Sequence, residues 1–276
     1  MRHFASSLRT WLAVVGRGVV IAGALTGAAP LAAQALPPAC LPEVSGARGS
    51  AEVLVLTPRT ETGDLADPAG RLYRQGELHV PVSVSGKPGA GVQGAARAMT
   101  FLALDEAPDR WGRRIGHLRS EPTGMWLAHE EVAAGRAIVA PRRATPACLA
   151  PLFAAERAAR AARAGLWARE RVWSAHRPRA LAARVGQYTL VTGRVLSVGE
   201  TSRTLYLNFG RRWSRDFTAT VDSRRIADFA AAGLDARSLE GAAIRVRGVL
   251  RQDRGPLIDL RHPAQIERLD KDGQSR

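Results

Sequence analysis

The sequence has little lysine, little cysteine and no long apolar run after its first 35 residues, and each shortage limits what the protein can be. Only Lys87 and Lys271 are lysines, although lysine and arginine together number 40 in 276 residues. Two cysteines, Cys40 and Cys148, are too few to hold a zinc ion by themselves. Beyond residue 35 no stretch is apolar enough to cross a bilayer, so we expect no membrane span in the mature chain.

The first 35 residues have the composition of an export signal. Three arginines precede or interrupt an apolar, small-residue run that ends in 33-AQA-35. Glycines and Pro30 break the run and no stop-transfer charges follow it, which favours a cleaved signal peptide over 1–35 rather than a membrane anchor. We therefore expect an exported protein, periplasmic or secreted. In such an oxidising compartment a Cys40–Cys148 disulfide is expected rather than two free buried thiols, and would stabilise the fold by about 3–5 kcal/mol.

Arginine carries nearly all of the positive charge. The formal net charge is +15, and loss of the three arginines of the signal segment would leave about +12. Guanidinium groups bind phosphate oxygens in pairs, so this balance suits a polyanionic partner. Residues 136–184 hold eleven arginines against Glu156 and Glu170, whereas 186–270 is nearly balanced. The block 136–184, with its helix 146–164, is the best candidate for an electrostatic binding surface.

Local patterns predict strands and helices in the first half of the chain. Residues 49–57 alternate like a strand, whereas 58–94 are rich in Pro, Gly and Ser and show no clear period, which is unusual inside a compact domain. Ala95, Met99 and Leu102 would share one face of a short helix over 95–104. Further elements are predicted as a strand at 115–118, a helix at 126–135 ending at Gly135, a strand at 136–141 and a helix at 146–164 opened by Thr145.

A different pattern follows a predicted linker at 174–187. Residues 188–270 contain five short strands, with one helix near 223–233 between the third and the fourth. That order is expected of a five-stranded Greek-key barrel of the oligonucleotide-binding (OB) type.

Three stretches of the first half resemble the thermonuclease, or staphylococcal-nuclease-like, family in their order and spacing. They are 109-DRWGRRIGHL-118, 126-WLAHEEVAAGRAIVAP-141 and 148-CLAPLFAAERAARAARAGLWA-168. The family has an Asp-basic-Tyr-Gly-Arg turn, a strand, a helix ending in Gly-hydrophobic-Ala and a helix closing on Gly-Leu-Trp. The resemblance implies a five-stranded barrel with packed helices and calcium-dependent hydrolysis of DNA or RNA. The second module resembles an accessory barrel found after some such nuclease domains.

Pattern and resemblance together predict a mainly β fold with α (α+β), built from two OB-like five-stranded barrels, the first with packed helices. The predicted organisation is a signal peptide (1–35), a thermonuclease-like domain (36–173), a linker (174–187) and an OB-like accessory domain (188–270).

Phosphodiester hydrolysis needs a hard cation, a base that activates water, and arginines that stabilise the transition state. The resemblance places Arg113 at the second of these arginines, with Asp109 stabilising its turn; a plain hairpin turn is the alternative reading of 109–114. Upstream, 74-RQGELHVPV-82 is the best counterpart of the next family motif, so Arg74 stands for the first catalytic arginine.

The carboxylates that this chemistry requires do not match. In the same alignment the metal-binding aspartate becomes His79 and the base glutamate becomes Val82, yet neutral imidazole is a poor calcium ligand and valine is no base. Asp64 is a candidate metal ligand, and Asp67 and Glu77 are further acids that could substitute. The resemblance thus implies a nuclease-like protein whose key acidic residues are not identifiable, and calcium follows from the resemblance alone.

Two explanations of this mismatch stay open. Either the active site is degenerate, or a shifted reading frame runs over residues 61–94, which the gene's other two frames would test.

The predicted function is an exported thermonuclease-like protein acting on nucleic acid, and the alternative is a non-catalytic nucleic-acid or protein-binding module of the cell envelope. In the second module, candidate base-stacking and phosphate-binding residues are Tyr206, Phe209, Trp213, Arg211, Arg212 and Arg215. Tyr206 and Phe209 could instead fill the barrel.

Overall fold

A computed structural model of the chain describes residues 34–41, 51–59, 62–81, 94–212 and 214–270. The predicted signal peptide lies outside these residues except for Gln34 and Ala35, and so do Val82 and Trp213. Within the described part, no helix is long and apolar enough to cross a membrane. The fold is mixed α+β and mostly strand, as the sequence predicts.

The described residues form fifteen strands and five α-helices. The strands are β1 (Glu52–Arg59), β2 (Asp64–Ala66), β3 (Leu72–Gln75), β4 (Leu78–His79), β5 (Arg97–Ala103), β6 (Arg113–Ser120), β7 (Ile138–Val139), β8 (Trp173–Ser174), β9 (Tyr188–Arg194), β10 (Ser197–Glu200), β11 (Thr204–Asn208), β12 (Thr218–Asp222), β13 (Ala243–Asp253), β14 (Gly255–Leu260) and β15 (Ile266–Arg268). The helices are α1 (Leu127–Ala133), α2 (Pro146–Ala161), α3 (Pro178–Ala182), α4 (Ile226–Ala231) and α5 (Ala236–Leu239).

Five strands of the first half close into a barrel in the order β1-β2-β3-β6-β5. All neighbouring pairs are antiparallel except β3 and β6, which run parallel. Side chains that alternate along these strands point inward and fill the barrel with Leu56, Leu65, Tyr73, Met99, Phe101 and Leu118. The predicted five-stranded barrel is confirmed for this half of the chain.

The predicted helix over 95–104 is wrong, because these residues form strand β5. Met99 and Phe101 point into the barrel, and the strand pairs with β1 on one side and β6 on the other. The spacing of Ala95, Met99 and Leu102 fits a helix over so short a stretch, but the two open strand edges supply hydrogen bonds that outweigh that local preference.

The irregular stretch after β1 contributes real structure as far as residue 81. It supplies strands β2, β3 and β4, and its Leu65 and Tyr73 are fully buried in the barrel core. A shifted reading frame is not expected to produce side chains that fill a core so well, which argues against one over 62–81. Residues 82–93 lie outside the described part of the chain.

Helices α1 and α2 build a second core beside the barrel. Helix α1 contributes Leu127 to the barrel core and Val132 to the second core, which it shares with Leu149 and Leu152 of α2. Thr145 caps α2 by accepting the backbone N–H of Cys148, as predicted. The Cys40–Cys148 disulfide is formed and lies buried in this second core.

The second half of the chain forms one eight-stranded sheet. Its path is β10-β11-β12-β14-β13-β9-β8, with β15 paired to β13. Helix α4 follows β12, as predicted, and its Phe229 enters the core of the sheet. The predicted linker also joins this core, since α3 buries Leu181 there and Ala175 lies beside it.

A buried ion-pair network connects the second sheet to helix α2. Arg247 of β13 is 0% exposed and donates to both carboxylate oxygens of Glu156, at 3.0 and 3.1 Å. The same guanidinium group donates to the carbonyl of Val139 and to Glu267. Burial alone would lower the pKa of Arg247, but the carboxylates of Glu156 and Glu267 raise it instead. The arginine is therefore charged inside the protein and its charge is compensated.

Candidate nucleic-acid interface

Arg74 and Asp64 form an ion pair on the outer face of the barrel. They come from neighbouring strands β3 and β2, and Arg74 Nε lies 2.5 Å from Asp64 Oδ1. Arg74 also donates to the carbonyl of Thr62 at 2.9 Å. The Asp64 side chain is almost fully buried beneath this arginine. Asp64, the predicted metal ligand, is therefore already paired with Arg74, the predicted catalytic arginine.

Arg113 is held by its own turn. Asp109 accepts hydrogen bonds from Nε and Nη2 of Arg113 at 2.9 and 2.6 Å, and from the backbone N–H groups of Trp111 and Arg113. Burial acts to raise the pKa of Asp109, but these hydrogen bonds, above all that of the Arg113 guanidinium, lower it. The role of Asp109 as the residue that stabilises the turn is confirmed.

The two arginines lie on the same face of neighbouring strands. In the parallel pairing of β3 with β6, Leu72 is opposite Arg113 and Arg74 is opposite Ile115. Arg74 and Arg113 are therefore diagonal neighbours across this parallel pair of strands. We call Arg74, Arg110, Trp111 and Arg113 the arginine corner.

Trp111 is the exposed member of the arginine corner. Its side chain is 59% exposed, and the guanidinium carbons of Arg110 and Arg113 lie 4.0 and 4.6 Å from its ring centre. Such contacts hold an indole ring in place while leaving part of its surface open to solvent. Trp111 is not among the stacking residues predicted from the sequence, although an aromatic side chain between arginines in a turn is a typical signal for base stacking.

The candidate metal ligands that the structure describes do not fit a calcium site. His79, at the position of the family's metal-binding aspartate, stacks on Tyr188 with ring centres 4.9 Å apart. Burial, and then the charges of Arg74 and Arg142, lower the pKa of His79 to about 4, so the imidazole is neutral at pH 7. A neutral imidazole and a carboxylate already paired with Arg74 do not supply the oxygen ligands that calcium takes.

Asp67 and Glu77, the two other candidate acids, are already hydrogen-bonded within the fold, so neither can substitute as a metal ligand. Asp67 accepts hydrogen bonds from the backbone and guanidinium of Arg71 and from the Tyr73 hydroxyl. Glu77 accepts three backbone N–H groups, those of residues 142, 143 and 144. Burial raises the pKa of Glu77, and these N–H groups partly offset the rise.

Among the described residues, one group of three side chains has metal-ligand geometry, and it lies elsewhere. Cys40, His117 and Cys148 place their ligand atoms within 4.8 Å of one another. Both sulfur atoms are bonded in the disulfide, so neither is a thiolate that could bind a metal ion. His117 is neutral at pH 7, because burial lowers its pKa to about 4.

The residues predicted to form a nucleic-acid site in the second module lie in different parts of the structure. Phe209 is 1% exposed and packs on Phe217 in the core, so its predicted role in base stacking is wrong. Tyr206 lines a cavity on the outer face of the sheet. Arg215 lines a separate groove of about 310 Å³, together with Arg179 and Arg254. Arg211 and Arg212 are exposed.

Several arginines of the block 136–184 serve the fold. Arg160 pairs with the buried Glu156, and Arg136 and Arg184 pair with Glu131 and Glu170. Burial lowers the pKa of Arg160, with Glu156 opposing that effect. The predicted electrostatic surface on helix 146–164 is accordingly smaller than the sequence indicates, because part of its charge is neutralised internally.

Comparison with known protein families and with characterised proteins found no match to this chain. Fold and site geometry are therefore the grounds for any function.

Proposed function

We propose that the protein binds single-stranded nucleic acid through the arginine corner and does not cleave it. The observation that carries this proposal is Trp111, exposed on the barrel rim with two guanidinium groups against its ring. Single-stranded nucleic acid is bound by aromatic rings that stack on bases and by arginines that pair with the phosphate backbone. Within the arginine corner, Trp111 and Arg110 are adjacent in one turn of the chain and offer both, whereas Arg74 and Arg113 are already paired with Asp64 and Asp109.

The proposal that the protein does not cleave nucleic acid rests on the side chains that the structure describes around Arg74. The resemblance to thermonucleases accounts for the barrel and for two arginines on one face, and it supports a phosphate-binding ancestry for this surface. Catalysis needs a metal-bound carboxylate and a base, but Asp64 is paired with Arg74 and position 79 holds a neutral histidine. Phosphate binding needs neither group. We also propose that the second sheet is an OB-like barrel, supported by its order of strands and helix.

An oxidising compartment is the proposed site of action. The buried Cys40–Cys148 disulfide supports this, since such bonds persist in exported proteins and are rare in the cytosol. The signal segment predicted over 1–35 agrees with it.

The test is fluorescence anisotropy with a labelled single-stranded oligonucleotide. Loss of one stacked base costs about 1–3 kcal/mol, so Trp111→Ala should weaken binding by about 5- to 150-fold, and Trp111→Phe should restore part of the loss. Arg110→Gln should weaken binding and flatten its dependence on salt, by a slope of about 0.7 if one phosphate contact is lost.

Arg237→Gln is the matched control, because it removes the same charge from the exposed surface of α5. If the two arginine variants bind equally, or if Trp111→Ala binds like the unmodified protein, the arginine corner is not the nucleic-acid site.

A further inference from the structure

The side chain of His117 lies beside the Cys40–Cys148 disulfide, outside the barrel. Alternation along β6 turns Leu118 into the barrel and His117 to the opposite face, where its ring meets that of Trp126 with ring centres 5.5 Å apart. The sulfur atoms of both cysteines and one ring nitrogen of His117 lie within 4.8 Å of one another. Three residues that are distant in sequence thus bring two sulfur atoms and an imidazole to one place in the second core.

One ring nitrogen of this buried histidine has no hydrogen-bond partner among the described residues. His117 is fully buried, and its Nδ1 lies 3.3 Å from the amide nitrogen of Gln75, whereas its Nε2 is the atom without a partner. Burial lowers the pKa of His117 to about 4, and the nearby backbone of Cys40 opposes this only in part, so the ring is neutral at pH 7. A buried polar atom without a partner needs an explanation, and the nitrogen of a neutral imidazole is a common metal ligand.

The surroundings of the two cysteines favour a metal ion whose charge its ligands cancel. The core that contains both cysteines is apolar, with Val132, Leu149 and Leu152 among its buried members. An uncompensated charge is costly in such surroundings. Two thiolates and one neutral imidazole carry two negative charges, which one Zn²⁺ ion neutralises. Zinc accepts two cysteines and one histidine as its protein ligands, with a fourth position left for water or another ligand.

We propose that the reduced protein binds one Zn²⁺ ion through Cys40, Cys148 and His117. The disulfide first takes two electrons and two protons from a dithiol reductant, which is itself oxidised to a disulfide. Zinc then displaces both thiol protons and bonds to the two sulfur atoms and to Nε2 of His117. The disulfide and the zinc ion use the same sulfur atoms, so each excludes the other, and the oxidised protein does not bind zinc at this site.

Zinc binding requires the sulfur atoms to separate and one amide to turn. Two sulfur atoms bound to zinc at about 2.3 Å each stand roughly 3.8 Å apart. Cys40 ends a single helical turn in the segment 34–41, which is hydrogen-bonded to the Trp126 backbone and the Thr145 hydroxyl, so a shift of this segment can make the room. Zinc at Nε2 leaves the ring proton on Nδ1, and the Gln75 amide then has to turn its oxygen towards that atom.

Cobalt and zinc titrations of the full-length protein test the proposal. The protein is reduced with dithiothreitol, desalted in the absence of oxygen and titrated with Co²⁺, and an oxidised sample is titrated in the same way. We expect the reduced chain to bind one Co²⁺ with the absorption bands of thiolate-bound cobalt, zinc to displace it, and the oxidised chain to show no such bands. X-ray absorption of the zinc-loaded reduced chain should show two sulfur ligands at about 2.3 Å and a nitrogen ligand at about 2.0 Å.

The variant His117→Gln removes the nitrogen ligand and keeps both cysteines. Loss of a residue that only orients a metal ligand weakens metal binding about 10- to 100-fold, so loss of the ligand itself should weaken zinc binding by at least about tenfold. Competition with a chromophoric chelator measures this change. His129→Gln is the matched control, because His129 is also a buried histidine but lies outside this group.

Three results would overturn the proposal: zinc binding by the reduced chain that is no tighter than binding by the oxidised chain, an X-ray spectrum without sulfur ligands, or equal zinc affinity in the two histidine variants. The X-ray spectrum uses the unmodified chain, so it decides the matter even if His117→Gln does not fold. The arginine corner contains none of these residues, so the nucleic-acid proposal can fail or hold independently.

Discussion

Substitution of Arg247 by methionine tests whether the buried ion-pair network holds the second sheet to helix α2. Methionine keeps the apolar stem but removes the guanidinium group, and with it the contact on the Phe153 ring and the charge that Glu156 and Glu267 share. Glu156 is fully buried and would retain only Arg160, at 3.3 Å, as its cationic partner. Removal of one partner from a buried pair costs about 3–5 kcal/mol, and the remaining contact to Arg160 favours the lower end.

Urea denaturation of the oxidised protein, followed by tryptophan fluorescence, measures this loss. Adding Glu156→Gln to Arg247→Met removes the uncompensated charge, so the double variant should be less destabilised than the sum of the two single variants. Arg224→Met is the matched control, because Arg224 pairs with Asp222 on the open surface and its loss should change stability far less. The reasoning is refuted if Arg247→Met and Arg224→Met have equal effects.

Three further predictions concern the fold around the sites. His79 has a pKa of about 4 in the folded protein against about 6.5 when unfolded, so the unfolded chain takes up the proton first and stability falls as pH drops below about 6.5. Between pH 7 and 5 this histidine should account for about 2 kcal/mol of lost stability, and His79→Gln should remove that share; an unchanged pH dependence would contradict it. Glu77 accepts three backbone N–H groups, and Glu77→Gln replaces one of its acceptor oxygens by an amide donor. This should lower the free energy of unfolding in urea by about 1–3 kcal/mol. Glu106 is exposed, so Glu106→Gln should leave the free energy of unfolding unchanged. Replacing both cysteines by serine opens a link across 108 residues and should cost about 3–5 kcal/mol, and a loss below about 1 kcal/mol would show that the disulfide adds little.

Local features of the fold could be predicted from the sequence. Thr145 and Pro146 predict the start of α2, and Asp109 predicts the turn that holds Arg113, because each depends on residues a few positions apart. The strands of the second sheet follow from alternation. Strand β5 could not be recognised, because its apolar spacing fits a helix equally well over ten residues and its pairing partners are distant in sequence.

Contacts between residues distant in sequence could not be predicted for the candidate sites and their surroundings either. The pair of Arg247 with Glu156 joins residues 91 positions apart, and no local pattern indicates it. Phe209, by contrast, could have been assigned to the core, since it continues the parity of Leu205 and Leu207 and therefore points inward with them.

Binding without cleavage is the central claim of this account, and one measurement tests it most directly. A labelled single-stranded oligonucleotide is incubated with excess full-length protein and millimolar calcium, its bound fraction is read by anisotropy, and its length is then read on a denaturing gel. We expect a largely bound oligonucleotide that is recovered intact. Cleavage that is lost with a calcium chelator and with Arg113→Ala would contradict it.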